Sequence, residues 1–264
     1  MKSRSHTVRF AAALLTTTLK ASLMLRGTFA LQVVFMVLNN LAFFLFWWLL
    51  MRRVPVIRGW ELADVQLLFG IVAAAFGLAL AVAGGVRDLG RLIDEGELDT
   101  LLVRPQPVLL HAWGLRSQAS GFGDLLSGLG FIIWSGHVSW SAMPSVALIV
   151  VISALLFIAS GTVFFSLAFW LGKVDTLARQ LWELLVTFSL YPEPLFGGAM
   201  RLILFTLIPA GWVGWVPVRL IREMSFGTLV LLAGAACAYT LIAIVVFSHG
   251  LRRYSSGSRF ATFG

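Results

Sequence analysis

The sequence predicts an all-α polytopic membrane protein with six transmembrane helices, an N-terminal interfacial helix, and short outer re-entrant helices between spans five and six. Two features of composition predict this class: 59% of the residues are hydrophobic, and only 12% are charged. A soluble domain carries about twice that charged fraction. The third feature is segmentation, because apolar runs of about 20 residues, enough to cross a bilayer, alternate with short charged loops. We treat residues 1–264 as one transmembrane domain.

The N-terminal part of the chain predicts an interfacial helix followed by two spans. Residues 1–26 interleave basic and apolar residues, which is typical of a basic amphipathic helix at a membrane surface. The first span is expected at Thr28–Met51, and the tryptophan pair near its end suits an aromatic belt. The second, Val65–Val86, is rich in alanine and glycine, which allow helices to approach closely in lipid.

The rest of the chain predicts four further spans, of which the fifth is irregular. The third is expected at Leu109–Trp134, the fourth at Pro144–Leu171, and the fifth from about Leu181. After the fifth, residues 191–222 combine Pro and Gly with short apolar runs. Broken backbone at membrane depth must be buried in protein or line a cavity, so outer re-entrant helices are expected there. The sixth span is expected at Phe226–His249.

The basic residues predict the orientation of the chain. With the N-terminus inside, 14 of the 20 Lys and Arg residues fall in cytoplasmic segments, which favours both termini in the cytoplasm. This asymmetry accounts for the basic excess without nucleic acid as a partner. The single cysteine, Cys237, lies in an apolar run, so neither a disulfide nor a cysteine metal site is expected.

The stretch Val86–Pro107 is a dense block of charge between the second and third spans. It holds five acidic and three basic residues, while its apolar residues recur at helical spacing and form one stripe. Gly96 marks a break between two short helices, and Pro105 and Pro107 end the second. A two-part amphipathic helix on the cytoplasmic side predicts a surface that contacts a partner.

Few residues suggest chemistry within this chain. No G-x-x-x-x-G-K-[ST], H-E-x-x-H, C-x-x-C or G-x-S-x-G motif occurs, so we expect neither a cofactor nor a metal. Asp124 is different, because it lies inside the third span, where an ionised carboxylate costs about 2.5–3.5 kcal/mol. Two interpretations stay open: a hydrogen bond to a hydroxyl such as Ser120 or Ser127, or a place on a polar path through the membrane.

Three stretches resemble one family. GELDTLLVRPQP (96–107) resembles the loop after the second span in permease subunits of the type-2 ABC exporter superfamily, in particular the bacterial six-span branch encoded beside a second permease and an ATPase. The stretch 191–221 resembles the family's Tyr-Pro, Ile-Pro-Ala and aromatic-x-Pro pattern, and 250–258 resembles its Gly-Leu-x-x-Tyr-x-Ser ending. Val218 departs from the pattern, where a small Ala is expected.

The resemblance implies a permease subunit of an ATP-driven exporter in the bacterial cytoplasmic (inner) membrane. Separate ABC ATPase subunits would bind ATP–Mg, a second permease would form a heteromer with this chain more readily than a homodimer, and lipid would surround both. The coupling loop 87–107 is implied to dock its 87–103 helix in the ATPase, and the outer re-entrant helices are implied to close the exit. The candidate coupling residues are Arg91, Glu95, Glu97, Leu98, Asp99 and Leu102. The candidate path residues are Asp124, Tyr191 and Pro192.

Two alternatives from other functional classes stay open on the residues alone. A membrane-embedded lipid-modifying enzyme would need clustered polar residues at one membrane face, whereas the sequence offers one intramembrane aspartate. An ion-coupled secondary transporter is typically built from two halves with matching broken helices, whereas one broken region occurs here.

Overall fold

The computed structural model describes residues 2–254, with side chains from residue 9 onward. Helices dominate this range, and its extended pairing is limited to one isolated bridge between Ile57 and Trp60. The all-α prediction is therefore confirmed. Residues 255–258 of the C-terminal motif, and Arg259, lie outside the described range. In chain order the α-helices are α1 (Lys2–Met24), α2 (Arg26–Arg53), α3 (Leu62–Ala83), α4 (Leu89–Asp94), α5 (Asp99–Leu102), α6 (Val108–Trp113), α7 (Ala119–Trp134), α8 (Met143–Ser166), α9 (Ala168–Leu171), α10 (Asp175–Ser189), α11 (Gly198–Thr206), α12 (Val216–Glu223) and α13 (Phe226–Leu251).

Four helical stretches in the described residues are long and apolar enough to cross a membrane. They are Arg26–Arg53, Leu62–Asp94, Trp140–Leu171 and Phe226–Leu251. A fifth is reached if the bent pair Gly198–Thr206 and Gly211–Glu223 counts as one span. Length and composition thus support a multi-pass membrane protein with four or five such helices, whereas the sequence predicts six.

The predicted third span, Leu109–Trp134, is wrong as a single helix. The chain leaves α6 at Gly114 and enters α7 only after a polar run that ends at Gln118. The Gln118 N–H donates to Leu80 O at 3.1 Å, so the chain turns towards α3 instead of continuing straight. The remaining 16-residue helix is about 24 Å long, short of a hydrocarbon core of about 30 Å.

The predicted fifth span also differs in its bounds. It was expected to begin near Leu181, but α10 already begins at Asp175 and ends at Ser189 after 15 residues. One apolar face of α10 packs on α8, where Trp182 lies against Gly161. The bulky indole and the missing side chain at Gly161 let the two helices pack closely.

The centre of the fold is the pair of α3 and α7, whose backbones touch through glycines. A Cβ added to Gly70 would lie 2.7 Å from Ile132 N and 2.9 Å from Gly128 O. One added to Gly121 would lie 2.7 Å from Gly77 O. Such approach suits helices in lipid, where van der Waals packing replaces the hydrophobic drive. Most of α3 is buried between α7 and α8, and α2 packs on the outside of α7.

The two peripheral regions flank this pair. Helix α1 packs at the end of the bundle where α6 lies: Ser22 Oγ donates to Ser117 O at 3.0 Å, and the Phe10 and His111 rings are 5.3 Å apart. The stretch expected to be re-entrant, 191–222, contains α11, one turn of π-helix and α12, with a 78° bend. Its depth in a membrane, like the interfacial position of α1, stays a prediction.

Candidate functional site

The segment that joins α3 to α7, residues 84–118, folds as short helices around one tight turn. A 3-10 turn at Gly84–Asp88 leads into α4, and the chain then reverses at Gly96, whose φ of +74° lies in the left-handed region that favours glycine. The Leu98 N–H donates to Leu92 O at 3.2 Å and ties α5 back onto α4. The break predicted at Gly96 is confirmed.

The apolar stripe of this segment faces the bundle. Leu89 and Leu98 are fully buried, and Leu101 is 3% exposed. Leu98 is one of the predicted coupling residues, and in this structure its side chain is buried in the bundle. Residues three apart share one helix face, so Leu98 and Leu101 turn inward together. Leu98 therefore anchors the segment to the bundle.

Two apolar side chains point away from the bundle instead. Leu102 is 42% exposed and Val103 is 85% exposed. Adjacent exposed apolar side chains among charged neighbours suit contact with another protein. Val103 is not among the coupling residues predicted from the sequence. The signal that identifies it is register, because once Leu98 and Leu101 are placed inside, the next two positions fall outside.

Arg91 gathers two of the candidate acidic residues into one patch. Its Nη1 lies 2.8 Å from Glu97 Oε2 and 3.2 Å from Glu95 Oε2. All three side chains are about one-third or more exposed, so these pairs add little to stability, about 0–1 kcal/mol each. Their effect is geometric: Arg91 fixes the carboxylates of α4 and of the turn beside it.

Asp99, at the start of α5, lies next to the end of the last long helix. Burial, and then the neighbouring Asp99 side chain, raise the pKa of Tyr254 to about 12, so the phenol stays neutral at physiological pH. The Tyr254 hydroxyl is buried beside Asp99. Two motifs that are distant in the sequence thus meet in the fold, the one at residues 96–107 through Asp99 and the one that begins at Gly250 through Tyr254.

A second loop completes this surface. A cavity of about 510 Å³ lies between α4 and the start of α10, lined by Arg91, Asp94, Glu95, Lys173, Asp175 and Thr176. Arg179 holds the two sides together, since its Nε donates to Asp175 Oδ2 at 2.6 Å and its Nη2 donates to Arg87 O at 3.3 Å. The loops before α10 and after α3 therefore lie at the same end of the bundle, as the charge distribution predicts.

The far end of the segment is fixed by a histidine. Arg104 Nη1 lies 3.1 Å from His111 Nε2, and the imidazole is buried. Burial, and then the positive charge of Arg104, lower the pKa of His111 from its ordinary value of 6.5. The neutral ring accepts the hydrogen bond from Arg104 at Nε2. Protonation would place two cations against each other.

Asp124 lies in a closed polar cluster between three helices. It is 2% exposed, and Asn40 Nδ2 of α2 lies 2.8 Å from both Asp124 Oδ1 and Ser127 Oγ. The carboxylate thus receives its hydrogen bond from another helix, not from Ser120 or Ser127 as the first interpretation supposed. Gly77 of α3 closes the third side, because its missing Cβ makes room for Asp124 Cβ. Asp124 therefore fastens α2 to α7 and does not lie on an open surface of the chain.

Tyr191 and Pro192 form the joint after α10. The Tyr191 ring packs edge-on against Trp47 of α2 at 5.5 Å, and the Tyr191 carbonyl accepts from Trp215 Nε1 at 2.8 Å. Pro192 is buried. Trp47 lies seven residues beyond Asn40, about 10 Å along α2. The joint is therefore separated from the Asp124 cluster by about two turns of helix.

Ion pairs hold the region 191–222 against the other loops at that end. Glu193 pairs with Arg201 at 2.6 Å and with Arg219 at 2.9 Å. Asp64, at the start of α3, lies 3.4 Å from Arg222 and 3.3 Å from His137. A cavity of about 450 Å³ opens between these groups and the turn at residues 57–60. Polar contacts thus link three parts of the chain, the region 191–222, the start of α3 and the loop at His137, at the end opposite the 84–118 segment.

A family model described as ABC-2 family transporter protein matches residues 37–258, most of the chain. No curated protein and no solved structure matches the sequence.

Proposed function

The chain belongs to the ABC-2 family of transporter proteins, and on that premise we propose that it is the permease subunit of an ATP-driven exporter in a bacterial inner membrane. Membership makes it a membrane permease component of an ABC transporter, whose ATPase is a separate chain. Both termini would lie in the cytoplasm. A second permease, related but not identical, would complete the path, and ATP–Mg would bind to the partner ATPases.

The observation that supports coupling through residues 84–118 is the division of its apolar side chains. Leu98 and Leu101 are buried in the bundle, while Leu102 and Val103 are exposed beside charged residues. The fold of the chain alone does not explain two adjacent exposed apolar side chains, Leu102 and Val103, whereas contact with a partner does. In the proposal, these two residues enter an apolar groove of the ATPase, and Arg91, Glu95, Glu97 and Asp99 form the charged rim around them.

The segment is well placed to transmit movement. It connects α3 to α7, and those two helices touch backbone to backbone through glycines. A push on the segment would therefore move both helices as one body, because no side-chain layer between them can deform. Closure of the ATPases would tilt the pair and open a path towards the second permease.

In the proposed transport cycle, the candidate path residues would connect the moving helices. Asp124 would carry the tilt of α7 to α2 through Asn40, and Tyr191 and Pro192 would be the joint about which α10 and the re-entrant helices move. At the outer end, the pairs from Glu193 to Arg201 and Arg219 would hold the exit closed between cycles.

Substitution of Val103 tests the coupling surface. In vesicles that contain this chain, its second permease and its ATPase, Val103→Asp should lower copurification of the ATPase and transport-stimulated ATP hydrolysis about tenfold. A buried carboxylate at the centre of an apolar contact costs at least the equivalent 1.4 kcal/mol. Asp99→Arg should likewise uncouple ATP hydrolysis from transport. Neither change touches the buried stripe, so membrane insertion should be normal.

The matched control is Val56→Asp. Val56 is 52% exposed and lies at the other end of α2 from the coupling segment, so the same substitution there should change neither measurement. Normal ATPase binding and normal transport in both Val103→Asp and Asp99→Arg would contradict the docking proposal. Copurification of an ATPase and a second permease with the unmodified chain tests the subunit composition independently.

A further inference from the structure

We infer that the angle between α1 and α2 holds the headgroup of one membrane phospholipid, at the same end of the bundle as the coupling segment. A cavity of about 340 Å³ lies there, between the end of α1, the first turn of α2 and the start of α7. Its polar lining consists of Ser22, Thr28, Gln32, Ser117, Gln118 and Ser120. This site goes beyond the proposed function, which assigns these residues no part.

The cavity exists because two helices are interrupted at the same level. Leu25 interrupts the helical backbone between α1 and α2, because its dihedral angles, φ −97° and ψ 69°, are not helical. The polar run before α7 replaces what would have been a continuous third span. Ser22 Oγ donates to Ser117 O at 3.0 Å and holds the two breaks face to face. A void lined by hydroxyl and amide groups is left between them.

Its chemistry suits a phosphodiester. Every polar side chain in the lining is neutral, so no carboxylate opposes an anion. The buried Ser117 hydroxyl has no hydrogen-bond partner within the described residues. The 16-residue helix α7 also begins here without a side-chain cap from Gln118, and its first residues, Ala119 and Ser120, line the cavity with the uncapped end of the helix.

Three basic residues lie near the cavity without lining it. Arg87 Nη1 lies 3.3 Å from Gln118 Oε1 in the lining. Lys20 and Arg26 are exposed and flank the lining residues of α1 and α2 in the sequence. Basic residues beside neutral hydrogen-bond donors attract an anionic headgroup at a membrane surface.

The neighbouring surface of α2 suits the acyl chains. From the cavity outwards, Leu31, Val34 and Phe35 are 55–62% exposed, and α2 continues as an apolar helix of membrane-crossing length. A polar cavity beside an apolar helix surface matches the polar headgroup and apolar chains of a glycerophospholipid. The phosphate would lie in the cavity, and the acyl chains would lie along α2. A soluble phosphate would not use that apolar surface.

Native mass spectrometry of the delipidated full-length chain tests the inference. The probes are dioleoylphosphatidylglycerol, dioleoylglycerol with the same acyl chains but no phosphate, and inorganic phosphate. We expect one retained phosphatidylglycerol, no retained dioleoylglycerol, and no displacement by millimolar phosphate. Ser120→Asp should weaken retention about tenfold, because its carboxylate would lie against the lipid phosphate. The same charge in the first turn of α7 favours the helix, so this variant should fold.

Gln32→Glu adds the charge from the opposite wall with almost no change of shape, and it should weaken retention to a similar degree. Ser141→Asp is the matched control, an exposed serine just before α8 at the other end of the bundle, and it should retain lipid normally. Wild-type retention in both cavity variants would overturn the inference. Equal retention of dioleoylglycerol would overturn the phosphate assignment, and displacement by inorganic phosphate would overturn the lipid assignment.

Discussion

Replacement of Gly128 by alanine should weaken the pairing of α3 with α7, whereas the same change at Gly130 should not. A Cβ on Gly128 would lie 2.7 Å from Gly70 O and 2.8 Å from Ala74 Cα, and these backbone atoms cannot escape by changing rotamer. Nothing lies within 4 Å of a Cβ added to Gly130. Both glycines belong to α7, so helix and surroundings are matched.

The size of the effect follows from the gap that must open. An ordinary contact of at least 3.4 Å from the new Cβ to Gly70 O requires the backbones to separate by about 0.7 Å, and the still closer Ala74 N requires a larger separation. A gap of about 0.5–1 Å forfeits about a quarter to a half of the dispersion energy of each contact. Overpacking of this kind costs about 1–3 kcal/mol, while alanine returns about 1 kcal/mol of helix propensity. Gly128→Ala should therefore lie about 1–3 kcal/mol below Gly130→Ala in free energy of unfolding.

Reversible SDS titration in mixed micelles, followed by tryptophan fluorescence, measures this difference. Since the proposal has α3 and α7 move as one body, Gly128→Ala should also lower transport-stimulated ATP hydrolysis, and Gly130→Ala should not. Equal unfolding free energies for the two variants would refute the close-approach reasoning. A stability difference without any change in ATP hydrolysis would refute only the mechanical role of the pair.

Three further predictions address the other parts of the site. Leu98→Ala should lower the free energy of unfolding by about 2–5 kcal/mol, and Leu102→Ala should change it by less than about 0.5 kcal/mol, in the same SDS titration. Asn40→Ala and Asp124→Ala, each of which removes one partner of the hydrogen bond, should be coupled by about 0.6–1.7 kcal/mol in a double-mutant cycle, and additive effects would contradict this hydrogen bond. The lowered pKa of His111 means that the unfolded chain binds more protons below pH 6.5, so the melting temperature in detergent should fall on acidification through that range. His111→Gln should flatten this dependence, and a pH profile like that of the wild type would contradict the assignment.

The elements that could be predicted from the sequence are those set by local pattern. The break at Gly96 was predictable, because few residues other than glycine adopt the left-handed backbone conformation that a tight turn between two short helices requires. The burial of Leu98 was not, because an amphipathic stripe shows which residues share a face but not whether that face meets the bundle or a partner. Only the packing of the folded chain, in which α5 lies against α6, decides this.

Hydrogen-bond partners that are distant in the sequence could not be predicted either. Asp124 was identified as an anomaly from its place in an apolar run, but its partner Asn40 is 84 residues away in the sequence. The interruption at Gly114–Gln118 was also missed, because a hydropathy average over about 20 residues smooths across its three polar residues, Arg116, Ser117 and Gln118. The hydrogen bond from Gln118 N to Leu80 O that redirects the chain is a tertiary contact.

The position of Tyr254 beside Asp99 has a consequence for the biosynthesis of this chain. Asp99 leaves the ribosome 155 residues before Tyr254, which at about 5–20 residues per second is a delay of roughly 8–30 s. During that interval the earlier helices can enter the membrane, but the surface around α5 lacks one of its walls. Only a chain that has been synthesised as far as Tyr254 presents the complete surface around α5. A partner that binds this surface would therefore assemble with such chains in preference to truncated ones.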